Sequence, residues 1–464
     1  MQGIKERAAV FQTILAKDKA ANLFLLVALC TGIIIACINP PFHECDGWTH
    51  YIWATDVSYG NLLSPMLNLS SHKAGMVTVP ENIAEVDYHI TKSESGEGKV
   101  YSQYLNTVKF SKNKGYLSMP GRLVSLFYYP QALGLFLGRM FQMSVYWSVV
   151  LSRIFNLLVF LVMAYVSVRI TPILKNTMAT IAMLPMTVFQ AASDSPDAML
   201  NGFCLLFVAA CFYYAYGEKQ ILIWKDTCKL GVLLSMVFLY KYVYILLGLL
   251  VFLIPMKKFG IKKQYWKCFV LALLPLLISG YMGIGDAASA VNAGQAAMGE
   301  GEITQTQYLV EHPYFIVEVL VKTFVYRFSE YMLSLNILGS LTYSLGPLQF
   351  IVPMFLIFVS CLDANEACNK ISLKDRILCL ITFLIVCAGI VMAMYIGYGR
   401  ENEVGAEIAA GVQGRYFIPA IPVFCVLVNQ HGVQNKVKHF TEKTIGGMGM
   451  FLIVAVYALY FYCW

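Results

Sequence analysis

Long apolar runs separated by short polar turns dominate the chain. They show neither the three-to-four spacing of a half-buried helix nor the alternation of a strand. The runs at 20–38, 145–170 and 377–396 approach or exceed the roughly twenty apolar residues that cross a ~30 Å hydrocarbon layer. The pattern predicts an all-α integral membrane protein with about eleven spanning helices, in a range of about ten to thirteen.

With residues 1–19 inside, the run at 20–38 reads as a retained signal anchor that exits to the outer face. Residues 39–144 then form a large outer loop, 145–282 a spanning core, 283–340 a second outer loop, and 341–464 the C-terminal spans. Core spans are predicted at 146–170, 177–192, 197–216, 229–240, 242–256 and 268–282. The later ones fall at 341–361, 375–397, 416–430 and 447–463. The apolar stretch 123–143 is broken by Pro130, Gly134, Gly138 and Arg139, and is placed at the outer interface. The second outer loop contains an amphipathic stretch at 313–335, and the tyrosines and valines of 100–110 suggest a short hairpin in the first. This arrangement puts every lysine-rich turn on one face, as the positive-inside rule requires.

Composition agrees. Hydrophobic residues make up 58% of the chain and charged residues only 13%, about half the roughly 25% of soluble domains. The net charge of +7 does not imply nucleic acid, because the basic residues cluster beside apolar runs and form no stripe with interleaved aromatics. Most of the thirteen cysteines lie in apolar runs and no CxxC pair occurs, so neither a zinc site nor a disulfide framework is signalled. No internal repeat of the kind found in many transporters is visible.

Ionisable groups at membrane depth cost about 2.5–3.5 kcal/mol each and need a reason. Four places stand out. The stretch from Pro40 to His50 brings Glu44, Asp46, His43 and His50 to the membrane surface. It is either a solvated interfacial loop or the seat of a general base. Asp194 and Asp197, with Asn201, mark the outer turn of a helical hairpin, where Pro196 and the acids also suit a helix start. Lys241 interrupts the apolar block from Leu230 to Met256, which is too short for two spans and too long for one. The lysine either snorkels to water or binds an anion such as phosphate. Gln413, Arg415 and Tyr416 open the span at 416–430, as an interfacial anchor or as a bidentate phosphate site. Arg153, inside a span, reads as a packing or pairing residue.

The stretch containing Pro40, Pro41, Phe42, Asp46 and His50 resembles the loop after the first helix in a family of bacterial membrane proteins, the domain of unknown function 2142. The resemblance continues in order through Tyr129-Pro130-Gln131-Ala132, Arg153 with Asn156, Ala192 to Asp197 with Asn201, Lys241 to Tyr244, and Gly411 to Pro419. Gly47 stands where that family usually has Glu. The family is similar to the C-type glycosyltransferase (GT-C) superfamily, which implies a GT-C-like helical bundle in the bacterial plasma membrane with its active site facing outward. The resemblance further implies transfer of a sugar from a polyprenyl-phosphate donor lipid to a cell-envelope glycan or glycolipid acceptor. Asp46 would be the base, with Glu44 beside it. His50, Asp194, Asp197, Asn201, Lys241, Tyr244, Gln413, Arg415 and Tyr416 would be the substrate-binding set. A divalent cation (Mg2+ or Mn2+) on Glu44 and Asp46 is compatible with the resemblance but not required by it. The alternatives are a flippase or transporter of a polyprenyl-linked glycolipid, which would tolerate loss of Asp46, and a non-catalytic envelope scaffold.

Overall fold

The computed structural model describes residues 18–62, 76–83, 86, 98–118, 125–259, 303–336, 338, 346–397, 402–429 and 435–464. The predicted span at 268–282 lies outside them. The described chain is predominantly helical, with one small two-stranded sheet.

Among the described residues, five helices are long and apolar enough to cross a membrane. They are α1 (Lys19–Ile38), α5 (Val145–Ile170), α8 (Asp197–Tyr216), α13 (Leu373–Gly397) and α15 (Phe440–Cys463). Along them, side chains such as Leu26, Val162, Leu384 and Ile453 point outward and are exposed. That is unfavourable in water and expected in lipid. The opposite faces close a continuous core running from Phe24 through Phe160, Phe207 and Leu452.

The remaining predicted spans take other forms. The region 177–192 divides into α6 (Lys175–Ala182) and α7 (Pro185–Ala191). Pro185 lacks the N–H that would continue the ladder and takes the first position of the second piece. The block from Leu230 to Met256 breaks at Lys241, as expected from its charge. It comprises α9 (Trp224–Tyr240) and a 3-10 segment, Tyr242–Leu253. The predicted span at 341–361 is the shorter α12 (Leu348–Leu362). That at 416–430 is a 3-10 turn, Gly414–Ala420, leading into α14 (Ile421–Val428). The amphipathic stretch forms α11 (Phe315–Ser334), preceded by α10 (Gln305–Glu311).

Beyond the C-terminal end of α1 sits a compact unit. It contains α2 (Gly47–Ser58), β1 (Met76–Pro80), α3 (Gly98–Thr107), β2 (Lys114–Ser118) and α4 (Tyr129–Met140). The hairpin expected at 100–110 is therefore mostly helix. The strand pair lies elsewhere, with β1 antiparallel to β2 in the register Thr78 to Tyr116. The unit has its own apolar core, including Tyr51, Trp53, Val79, Leu105 and Leu135. Polar clamps fix its parts. The Asp56 carboxylate accepts from Thr78 N–H at 2.7 Å and from Asn61 Nδ2 at 2.6 Å. Arg139 donates to Ser58 Oγ at 2.6 Å and stacks over the Tyr59 ring at 3.9 Å.

Candidate functional site

The loop between α1 and α2 is held from below by a fully buried arginine. Arg153 in α5 donates to Asn39 O at 2.5 Å, to Pro40 O at 3.1 Å and to Glu44 Oε2 at 2.8 Å. Asn39 Nδ2 donates to the same carboxylate oxygen at 3.2 Å, and the backbone N–H of Asp194 donates to Glu44 Oε1 at 2.9 Å. A guanidinium buried at this depth requires both a counter-charge and acceptors for its remaining protons. Glu44 and the end of α1 supply them for the two terminal nitrogens, while Nε makes no hydrogen bond.

Asp194 is the third member of this network. Its Oδ1 accepts from Ser152 Oγ at 2.5 Å, and its Oδ2 lies 3.7 Å from Arg153 Nε. Burial pushes the Asp194 carboxyl up to about 7, opposed by the charge of Arg153 and reinforced by that of Glu44. Burial thus favours the neutral form of Asp194 beside the Arg153–Glu44 pair.

Clamping the loop at Asn39, Pro40 and Glu44 forces a tight reversal. Phe42 and Asp46 both take left-handed backbone conformations, φ 67° and 57°. Such a conformation is tolerable for Asp and unfavourable for Phe, so it persists where surrounding contacts impose it. A Cβ on Gly47 would lie 2.7 Å from Phe42 O and 2.9 Å from Glu44 Cγ. The loop as built therefore excludes a side chain at the position where Glu is usual. The outcome is that Glu44 is buried while Asp46, at the start of α2, is exposed.

A second charged cluster lies within the field of Asp46, which acts on Lys241, His50 and Tyr416. Its centre is Asp197, at the first turn of α8. Arg415 Nη1 approaches Asp197 Oδ2 at 3.3 Å, and Lys241 Nζ approaches Oδ1 at 3.6 Å. Tyr240 Oη donates to Oδ1 at 2.7 Å and Gln190 Nε2 to Oδ2 at 2.8 Å. Asn201 Nδ2 in turn donates to Gln190 Oε1 at 3.1 Å. Lys241 sits over the Tyr416 ring at 4.3 Å, and Arg415 Nε donates to Gln413 Oε1 at 2.6 Å. Two cations share one carboxylate, leaving a unit of positive charge. Lys241 is about one-third exposed, with a side-chain accessibility of 34%, whereas Arg415 is nearly buried at 5%.

Backbone breaks create this arrangement. Lys241 is where α9 gives way to the 3-10 segment, and Arg415 lies in the 3-10 turn before α14. Gly414 is packed so tightly that a Cβ would lie 2.0 Å from Tyr331 O in α11. Non-helical backbone at membrane depth is tolerated where it is buried in protein or lines a cavity.

The predicted site residues thus separate by role. Asp46, Lys241, Gln413 and Tyr416 are at least partly accessible, with Arg415 and Asp197 directly behind them. Asp194 and Asn201 are buried and hydrogen-bonded within the protein, to Ser152 and Gln190. Tyr244 is buried and donates its hydroxyl to Tyr416 O at 2.7 Å, which anchors the backbone at Tyr416. His50 is also buried, with Nδ1 2.9 Å from Tyr128 Oη, and burial lowers its proton affinity.

Glu44 needs a correction. Both its oxygens are committed to protein donors and it is only 3% exposed. It cannot serve as a second catalytic acid, nor join Asp46 as a metal ligand without breaking the Arg153 pair. Among the described residues, no cluster of three or more His, Cys, Asp or Glu side chains is arranged to hold a metal ion. Arg153 is the pairing residue that its position in a span suggested. Sequence reasoning missed Tyr240, Gln190, Ser152 and Tyr128 as partners of the charged groups. A tyrosine directly before the intramembrane lysine was the available signal for the first.

The profile of the family described as "Predicted membrane protein (DUF2142)" matches residues 29–424, and the chain belongs to that family. The match includes both charged clusters. No curated protein and no solved structure matches the chain.

Proposed function

We propose that this member of the DUF2142 membrane family is an inverting glycosyltransferase of the GT-C type. It moves a sugar from a polyprenyl-phosphate donor to a cell-envelope glycan or glycolipid, at the outer face of the bacterial plasma membrane. The observation that carries the reading is an exposed carboxylate, Asp46, whose field reaches a cluster in which two cations, Lys241 and Arg415, share the single carboxylate of Asp197. Such an arrangement matches a reaction that removes a proton at one point and develops negative charge on phosphate at another.

In this reading the acceptor hydroxyl gives its proton to Asp46. Its oxygen bonds to the anomeric carbon from the face opposite the phosphate as the carbon–phosphate oxygen bond breaks. The electron pair leaves with polyprenyl phosphate, and the configuration inverts. Lys241 meets the departing phosphate, supported by Arg415. Asp197 holds both cations in place without neutralising them fully. Arg153, Glu44 and Asp194 do not touch substrate. They fix the backbone that presents Asp46.

The test is to incubate purified protein with a panel of synthetic polyprenyl-phosphate sugars and candidate acceptors, following release of polyprenyl phosphate. Acceptor-dependent release from one donor supports the assignment. Tight donor binding without release, across acceptors, would favour a transporter of the same lipid.

A further inference from the structure

A second lipid-facing feature lies at the opposite, lysine-rich end of the bundle, remote from Asp46. Between α5, α8 and α9 is a crevice of about 720 Å3, within the roughly 300–1,000 Å3 range of ligand pockets. Val166 and Ile170, Leu206 and Ala210, and Val232 and Leu233 form its three walls. Val166 and Val232 are exposed, so the crevice opens sideways to where the bilayer lies. Its rim carries Trp224, Lys225 and Lys229. The two lysines are four residues apart on α9, so they share one face of the helix.

Both lysines are exposed, and neither is in an ion pair among the described residues. The nearby acid Asp226 does not neutralise them, because Lys219 already holds it at 2.5 Å. Arg169, exposed at the end of α5 next to Ile170, adds positive charge. A water-soluble anion would find cations there but walls that are mostly apolar, with Tyr213 and Tyr214 as the polar exceptions. A neutral lipid would fill the walls but leave the cations unused. The occupant that matches both is amphipathic and anionic. Lys near a membrane surface is attracted to acidic lipid, and Trp suits the headgroup level.

We infer that this crevice binds one anionic phospholipid, its headgroup on Lys225 and Lys229 and an acyl chain between α5, α8 and α9. The site is separate from the proposed transfer reaction and does not depend on it. The test is native mass spectrometry of the full-length protein in detergent, titrated with phosphatidylglycerol and, in parallel, phosphatidylcholine. The parent should retain phosphatidylglycerol in preference, and Lys225→Gln with Lys229→Gln should weaken that retention about tenfold or more. Lys374→Gln, an exposed lysine outside this crevice, should not. Brominated-chain phosphatidylglycerol should quench a fluorescence component that Trp224→Phe removes. Equal retention of the two lipids, or unchanged retention in the double variant, would overturn the inference. So would quenching of the same size in the parent and in Trp224→Phe.

Discussion

Replacing Arg153 with Leu should be among the most damaging single changes in the chain. It removes the counter-charge of Glu44 and the donors to Asn39 O and Pro40 O together. Breaking a buried ion pair from one side costs about 3–5 kcal/mol, because the abandoned charge stays buried. Adding Glu44→Leu removes that charge as well. The double variant should therefore recover part of the loss, with a coupling of about 1–3 kcal/mol. Asp194 gives the same network a pH signature. Its carboxyl is raised to about 7 in the folded protein, against about 3.9 in an unfolded chain. The folded state thus holds a proton that the unfolded state has lost between those values. This contribution to stability is complete below about pH 4 and is lost as pH rises towards 7, by at most on the order of 4 kcal/mol. Asp194→Asn, which mimics the protonated acid, should gain on the parent as pH rises through that window. Intrinsic-fluorescence melting of detergent-purified variants at pH 5 and pH 8 measures both effects. Equal destabilisation in the Arg153 single and double variants, with a pH-independent gap between parent and Asp194→Asn, would refute the network as described.

Two further outcomes follow from the second cluster. Lys241→Ala and Arg415→Ala should each weaken binding of a polyprenyl-phosphate lipid by about tenfold or more, from the loss of a charged hydrogen bond of roughly 1.5–3 kcal/mol. Fluorescence titration with a labelled lipid reads this, and Arg415→Ala should also lower the melting midpoint by freeing Asp197. Gly414→Ala should displace the turn that carries Arg415, because the new Cβ would fall 2.0 Å from Tyr331 O. Thermal melting and the same titration should both worsen, whereas Gly446→Ala, where nothing lies within 4 Å, should change neither.

Much of this architecture is legible in the chain. The five long spans follow from hydrophobic length alone, and the break at Lys241 follows from the cost of a charge inside an apolar block. The clustering of Asp197, Lys241 and Arg415 was less so. Nothing local brings positions 197, 241 and 415 together, and only the order of family-like motifs groups them. The roles of Glu44 and Asp46 were not separable by spacing. Which of two acids turns inward depends on Arg153, more than a hundred residues away. Segments that are neither full spans nor loops were also hidden. Hydropathy reports apolarity, and it is equally high for the 3-10 run Tyr242–Leu253 and for a regular helix. The break between α6 and α7 was missed, although Pro185, with its missing donor, carried the signal.

The central claim is that Asp46 accepts a proton during transfer from a phosphate-linked donor. It is tested most directly by comparing parent and Asp46→Asn for acceptor-dependent release of polyprenyl phosphate, with lipid binding measured on the same preparations. Asn keeps the size and the left-handed backbone preference of Asp while removing the base. The account predicts that release is lost, by at least about a hundredfold, while lipid affinity stays within about twofold. Full release by Asp46→Asn would contradict it.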